Sequence, residues 1–183
     1  MKLYWLDLET TGLDPSSTEI LEVAVAEADL LNPFDVKHIY HAVLPLLTHV
    51  EQLNPFIVNM HTQNGLLAEC QGPNTKSLAQ VDKELAALIA WVDDKDERAT
   101  LAGSSIHFDH SYIKVYMPLT NKNLSYRHYD VSALKLFCQS MGMPKFKKAE
   151  AHRAKDDIIE SVDHAKACKE WLTANLSYAP VMK

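Results

Sequence analysis

Cysteine is scarce in this 183-residue chain: Cys70, Cys138 and Cys168 are widely spaced, odd in number and form no C-x-x-C pair. That excludes a disulfide framework and a cysteine zinc site, and suits reduced core thiols in a cytoplasmic protein. No apolar run approaches the ~20 residues of a membrane span, and Met1-Lys2-Leu3 leads directly into a segment the fold needs, so neither a membrane anchor nor a signal peptide is expected. Positive charge is also short, with 18 Lys and Arg against 24 Asp and Glu and a formal net charge of −6. This argues against a broad basic surface gripping long nucleic acid through many phosphates, but not against a short anionic substrate held by metal ions and a few local cations. Lys145, Lys147, Lys148, Arg153 and Lys155 form one dense basic cluster, read as a solvated loop. There is no internal repeat, low-complexity segment or linker, and residues 1–183 are expected to form one domain.

What the chain does have is an apolar run, Leu3-Tyr4-Trp5-Leu6, leading into Asp7-Leu8-Glu9 and then Thr10-Thr11-Gly12-Leu13. Side chains alternate across a strand, so Asp7 and Glu9 share a face with Leu3 and Trp5. Both faces begin apolar, as in a strand buried at the centre of a sheet. Two carboxylates leaving such a strand side by side are costly without a positive charge between them, and the tight Thr-Thr-Gly-Leu exit keeps both at its lip. Two readings stand at this point: both acids already belong to a solvated turn, which the tight exit disfavours, or they form a divalent-metal site.

Further along, Glu19–Ala28 and Asp35–Leu44 read as strands, the second stopped by Pro45, giving an antiparallel meander with the first. A short helix is expected from about Pro55, followed by a loop through His61-Thr62-Gln63-Asn64-Gly65. Ser77–Val92 reads as an amphipathic helix and Thr100–Gly103 as a short buried strand. Ser104-Ser105 would cap a helix that Pro118 closes near Tyr116. Tyr126–Asp130 reads as a strand, Ser132–Met141 as a helix, and a last helix runs from Arg153–Asp156 to about Ala174 with a stripe of Ile158, Val162, Ala165, Cys168 and Leu172. The order predicts an α/β fold with a mixed sheet flanked by helices. Trp91 and Trp171 are expected in core or subunit contacts.

Two more acidic positions join the first pair. Asp109 follows the small-residue strand and falls in the first turns of its helix, where the helix dipole also favours an acid. Asp157 opens the last helix, preceded by His152. In a continuous helix that spacing puts side chains roughly 140° apart, so a histidine working beside Asp157 must lie in the preceding loop, which suits a proton acceptor closing over substrate.

Asp7-x-Glu9, a central Asp109 and His152-x4-Asp157, in that order, resemble the DEDDh family of 3′-to-5′ exonucleases, whose fold is ribonuclease-H-like. Within it the chain is most similar to the oligoribonuclease branch. Trp5-Leu6-Asp7-Leu8-Glu9, Ser105-Ile106-x-x-Asp109, Tyr116-Met117-Pro118, Tyr126-Arg127-x-x-Asp130-Val131-Ser132 and His152-Arg153-Ala154-x-Asp156-Asp157 carry that likeness over nearly the whole length.

The resemblance implies that Asp7, Glu9, Asp109 and Asp157 hold two Mg²⁺ or Mn²⁺ ions and that His152 is the general base. The substrate would be very short single-stranded RNA, down to dinucleotides, and the enzyme a homodimer. Leu13 would wedge between two bases, Phe56 and His61 would flank the 3′ nucleotide, and Ser105, Arg127 and Ser132 would cap the 5′ phosphate with Tyr126 from a partner subunit. Thr10, Asn64, Phe56, Ser125 and the histidines around Asp109 depart from the usual pattern, and the strict dinucleotide preference is where these departures bear. The rival readings are a broader exonuclease acting on single-stranded DNA or longer RNA, and a non-catalytic nucleic-acid-binding domain that kept the fold.

Overall fold

The structure is a computed structural model that describes residues 2–147 and 152–175. Strands β1 (Lys2–Thr10), β2 (Ile20–Asp29), β3 (Asn32–Val43), β4 (Ala99–Gly103) and β5 (Leu124–Asp130) form one sheet in the order β3-β2-β1-β4-β5. The expected meander is present: β1 pairs antiparallel with β2, and β2 with β3. β4 and β5 then add in parallel, so β1 is the central strand, apolar on both faces as its sequence requires.

Alternation assigns the two faces. Tyr4, Leu6 and Leu8 pack with Val81, Leu85 and Ile113 from helices α3 (Leu78–Leu88) and α4 (His107–Tyr116). Leu3 and Trp5 face Ile158, Val162 and Ala165 of α7 (Ala154–Asn175), the helix whose stripe was predicted, with Leu172 only half-buried. Trp5 also donates its indole N–H to the Pro33 carbonyl at 2.8 Å, giving a large buried ring its polar partner.

Several local expectations change. The loop expected from His61 is the end of helix α1 (Pro55–Gln63), which Asn54 caps by accepting the Phe56 N–H. Nothing between Pro55 and Asn64 breaks a helix, and the turn comes only at Gly65, whose φ of 81° suits glycine. Helix α2 (Leu66–Cys70) follows, burying Leu66 and Cys70 against Leu21 and Val43. Ser104 and Ser105 do not cap α4, whose N-terminal residue Ile106 makes no side-chain cap bond. Pro118 does not only end α4: it opens α5 (Pro118–Asn123), where Asp82 accepts the Leu119 and Thr120 N–H groups, so a neighbouring helix satisfies donors that the first turn leaves unpaired. Trp91 lies beyond α3 on the surface, under the Arg98 guanidinium 4.0 Å from its ring centroid, so of the core or subunit contact expected for it the core is excluded. Lys148 and the residues after Asn175 fall outside the described residues. Among the described residues no helix is long and apolar enough to cross a membrane.

Candidate active site

The parallel pairing of β1 and β4 brings their C-terminal ends to one crevice, where an open α/β sheet commonly places a ligand. Asp7 and Glu9 leave β1 on the α7 face, following Leu3 and Trp5 in parity. The turn from β4 carries the chain into α4 so that Asp109 lies beneath them, and its carboxylate accepts the Leu8 N–H at 3.0 Å. Ser105 makes that turn possible with a left-handed φ of 56°. Asp157 enters from the first turn of α7. Glu9, His152 and Asp157 can each offer a ligand atom with all three atoms within 4.8 Å of one another. The four acids and the histidine singled out by spacing thus line one groove of about 530 Å³.

Electrostatics say what such a groove needs. Burial, reinforced by the negative charges of Asp109, Glu9 and Asp157, pushes the Asp7 carboxyl well above its ordinary range. Burial and then the Asp157 and Glu22 charges push Glu9 up to about 8. Burial pushes Asp109 to about 8 as well, against the opposing pull of the Leu8 N–H. Carboxyls held this far up retain protons or accept cations in their place. Oxygen donors from four acids, with a histidine at the edge, are the hard ligand set that suits divalent ions such as Mg²⁺ or Mn²⁺. The residues therefore fit a divalent-metal centre.

The predicted substrate contacts divide into those at the groove and those away from it. Leu13 is 84% exposed on the rim and Phe56 66% exposed on α1, both lining the groove. Ser105 lines it too, and its hydroxyl lies 3.0 Å from that of Ser132. Ser132 lines an adjoining cavity of about 320 Å³ with Lys135, Phe146 and His164, a cavity that shares Asp7, Ser105 and Asp157 with the groove. His61 is fully buried behind the wall, not in an open loop, and its Nε2 has no hydrogen-bond partner among the described residues and lies 3.7 Å from Glu9 Oε2. Arg127 does not reach the groove: it donates to Asp96 at 2.9 Å and lies over the Tyr126 ring on β5, an edge strand. Tyr126 itself is 77% exposed.

One residue close to the site escaped the sequence reading. Glu22 stands opposite Glu9 in the β1–β2 register and is almost fully buried. Burial pushes its carboxyl up, but hydrogen bonds from Arg153, the Ala154 N–H and His41 outweigh this and hold it below the ordinary range. Its signal was an acid inside the β2 run Ile20-Leu21-Glu22-Val23-Ala24-Val25, where both neighbouring parities are apolar. Arg153, read as part of a solvated basic loop, is its partly buried counter-charge.

Residues 4–164 match an exonuclease family model, RNase_T. An oligoribonuclease of Corynebacterium diphtheriae is 38% identical, with 88% of this chain and 78% of that protein aligned. The chain belongs to the oligoribonuclease family of exonucleases. It is therefore a nuclease, and similar relatives span distant groups. An oligoribonuclease of Haemophilus ducreyi is 32% identical over 92% of each chain. A probable oligoribonuclease of Schizosaccharomyces pombe is 31% identical over 93% of this chain and 69% of its own. Among solved structures, Escherichia coli exonuclease I in complex with a dT13 oligonucleotide superposes with a TM-score of 0.69 at 13% identity. That match covers 94% of this chain but only 42% of exonuclease I, and it establishes the ribonuclease-H-like fold. The family also makes the centre divalent-metal dependent.

Proposed function

We propose that this protein, as one domain over residues 1–183, removes nucleotides from the 3′ end of very short single-stranded RNAs, down to dinucleotides, releasing nucleoside 5′-monophosphates. The observation that carries the reading is the meeting of Asp7, Glu9, Asp109, His152 and Asp157 in one groove with Leu13 and Phe56 at its mouth. Asp7, Glu9, Asp109 and Asp157 would hold two Mg²⁺ or Mn²⁺ ions. When bound, such ions stabilise charge on the attacking and leaving oxygens of a phosphodiester.

The chain's own groups do the rest. Leu13 and Phe56 offer apolar faces for two bases. His152, at the groove edge, takes the proton from the attacking water. His61, neutral because burial pushes its pKa down, backs Glu9 from behind the wall and leaves the 3′ nucleotide to Phe56. Ser105 and Ser132 offer hydroxyls to a 5′ phosphate. Tyr126 and Arg127 lie on an exposed edge strand, and Leu136 and Phe137 of α6 (Val131–Ser140) are also exposed. This distribution supports a homodimer in which an edge residue of one subunit completes the cap of the other. Buried free cysteines fit a cytoplasmic setting.

A second reading has one observation in its favour. With Arg127 engaged by Asp96, the groove continues into the neighbouring cavity, as an exonuclease for longer RNA or single-stranded DNA would require. Product analysis separates exonuclease chemistry from any other use of the fold. Mononucleotide 5′-phosphates should appear first from 3′-labelled RNA, and Asp7→Asn should nearly abolish their release. Undiminished activity in that variant would defeat the assignment.

A further inference from the structure

His152 is held in an unfavourable backbone conformation, with φ of 47°, a left-handed value that a β-carbon disfavours. Such a conformation persists only where the surroundings over-determine it. Here three successive residues are each tied down. The His152 carbonyl accepts a hydrogen bond from the Asn64 side chain. The Arg153 guanidinium reaches Glu22 on β2, with Nη2 to Oε1 at 2.9 Å, and Glu69 on α2, with Nη1 to Oε1 at 2.9 Å and Nη2 to Oε2 at 3.0 Å. The Ala154 N–H donates to Glu22 Oε2 at 2.9 Å. Arg153 also donates to the Asn64 carbonyl at 3.2 Å, so the residue that holds His152 is itself held by the clamp.

We infer that Arg153, clamped between Glu22 and Glu69, is the positioning residue that sets His152 over the acid cluster. Its guanidinium bonds to Glu22, Glu69 and the Asn64 carbonyl, while its own carbonyl accepts the Asp157 N–H at 3.0 Å. Its effect runs through the backbone of its neighbour, and its anchor, Glu22, sits on the strand position facing Glu9, so the histidine and the acids share one reference frame. A planar, forked guanidinium is needed because it must serve two carboxylates on two elements at once, which an ammonium cannot reproduce.

The inference rests on the exonuclease reading, and its test separates the two. Turnover of a short RNA with Mn²⁺ is measured for the wild type, Arg153→Lys and Glu69→Gln, each alone and combined with His152→Ala. Glu69 is half-exposed and its glutamine keeps the fold if Arg153→Lys does not. The expected result is a fall in kcat of roughly ten- to a hundredfold for Arg153→Lys and a smaller fall for Glu69→Gln, with KM held. Neither change should reduce activity further once His152 is alanine. The second readout needs no activity: ¹³C shifts of His152 in metal-free, histidine-labelled protein should move from left-handed toward extended values in both variants. Unchanged His152 shifts, or an equal loss of kcat with and without His152, would overturn the inference. An inactive wild type whose variants still shift His152 would fault the exonuclease reading and leave the clamp standing.

Discussion

Replacing Asp109 with asparagine should stabilise the metal-free protein while disabling it. Asp109 is 4% exposed, and its carboxyl is carried from 3.8 to about 8. A carboxyl raised in the folded state binds its proton more tightly there than in the unfolded chain. The stability is therefore complete at acid pH, below the unfolded value, and is lost as pH rises toward 8. At about 1.4 kcal/mol per pKa unit the ceiling on this loss is about 6 kcal/mol, and relaxation of a high-effective-dielectric interior reduces it to ~1–2 kcal/mol. Asparagine keeps an oxygen for the Leu8 N–H and carries no titration, so it avoids the loss. Thermal melts in EDTA should show Asp109→Asn equal to wild type near pH 3.5, below the unfolded carboxyl value, and several degrees more stable near pH 8, at roughly 2–4 °C per kcal/mol for a chain of this size. The same variant in Mn²⁺ should lose at least about a hundredfold in turnover, since one of the charges that hold the ions is gone. A lower melting temperature for Asp109→Asn at pH 8, or parallel pH profiles, would refute the reasoning.

Other outcomes follow from the same geometry. His152→Ala should lower kcat by roughly a hundred- to ten-thousandfold, with Mn²⁺ affinity by calorimetry little changed. Gly103→Ala should lower both stability and turnover, because its β-carbon would sit 2.7 Å from the Leu6 carbonyl oxygen and force apart the strands that carry the acids. A melting temperature within a degree of wild type would contradict it. Arg127→Ala should leave hydrolysis of 5′-hydroxyl dinucleotides intact while erasing any advantage of a 5′ phosphate, read from paired initial rates. Equal loss on both substrates would place Arg127 outside the cap.

The acid set was legible because its residues sit where strand alternation and helix starts speak most clearly. Leu3, Trp5, Asp7 and Glu9 share a parity, and Asp109 and Asp157 each fall in the first turn of a helix. What was not legible depends on long-range partners. Nothing local tells that Glu22 will meet Arg153 across 131 residues, or that Asp82 will satisfy the start of α5. His61 was misplaced because polar residues at the end of α1 look like a loop until Gly65 supplies the real break. Trp91 shows the reverse error: it was placed on the stripe of a helix running to Val92, with a core or subunit contact expected, but α3 ends at Leu88, before reaching it.

The central claim is that the groove processes the 3′ ends of very short RNA, and the most direct test is a length series. Purified protein with Mn²⁺ is given 5′-labelled RNAs from two to about twenty nucleotides, with matched DNAs, and initial rates are compared with those of Asp7→Asn. The account predicts a rate that peaks sharply at the dinucleotide, is higher for RNA and disappears in the variant. Equal rates at every length would contradict the short-substrate claim and leave a general 3′-to-5′ exonuclease, and metal-independent cleavage would contradict the whole account.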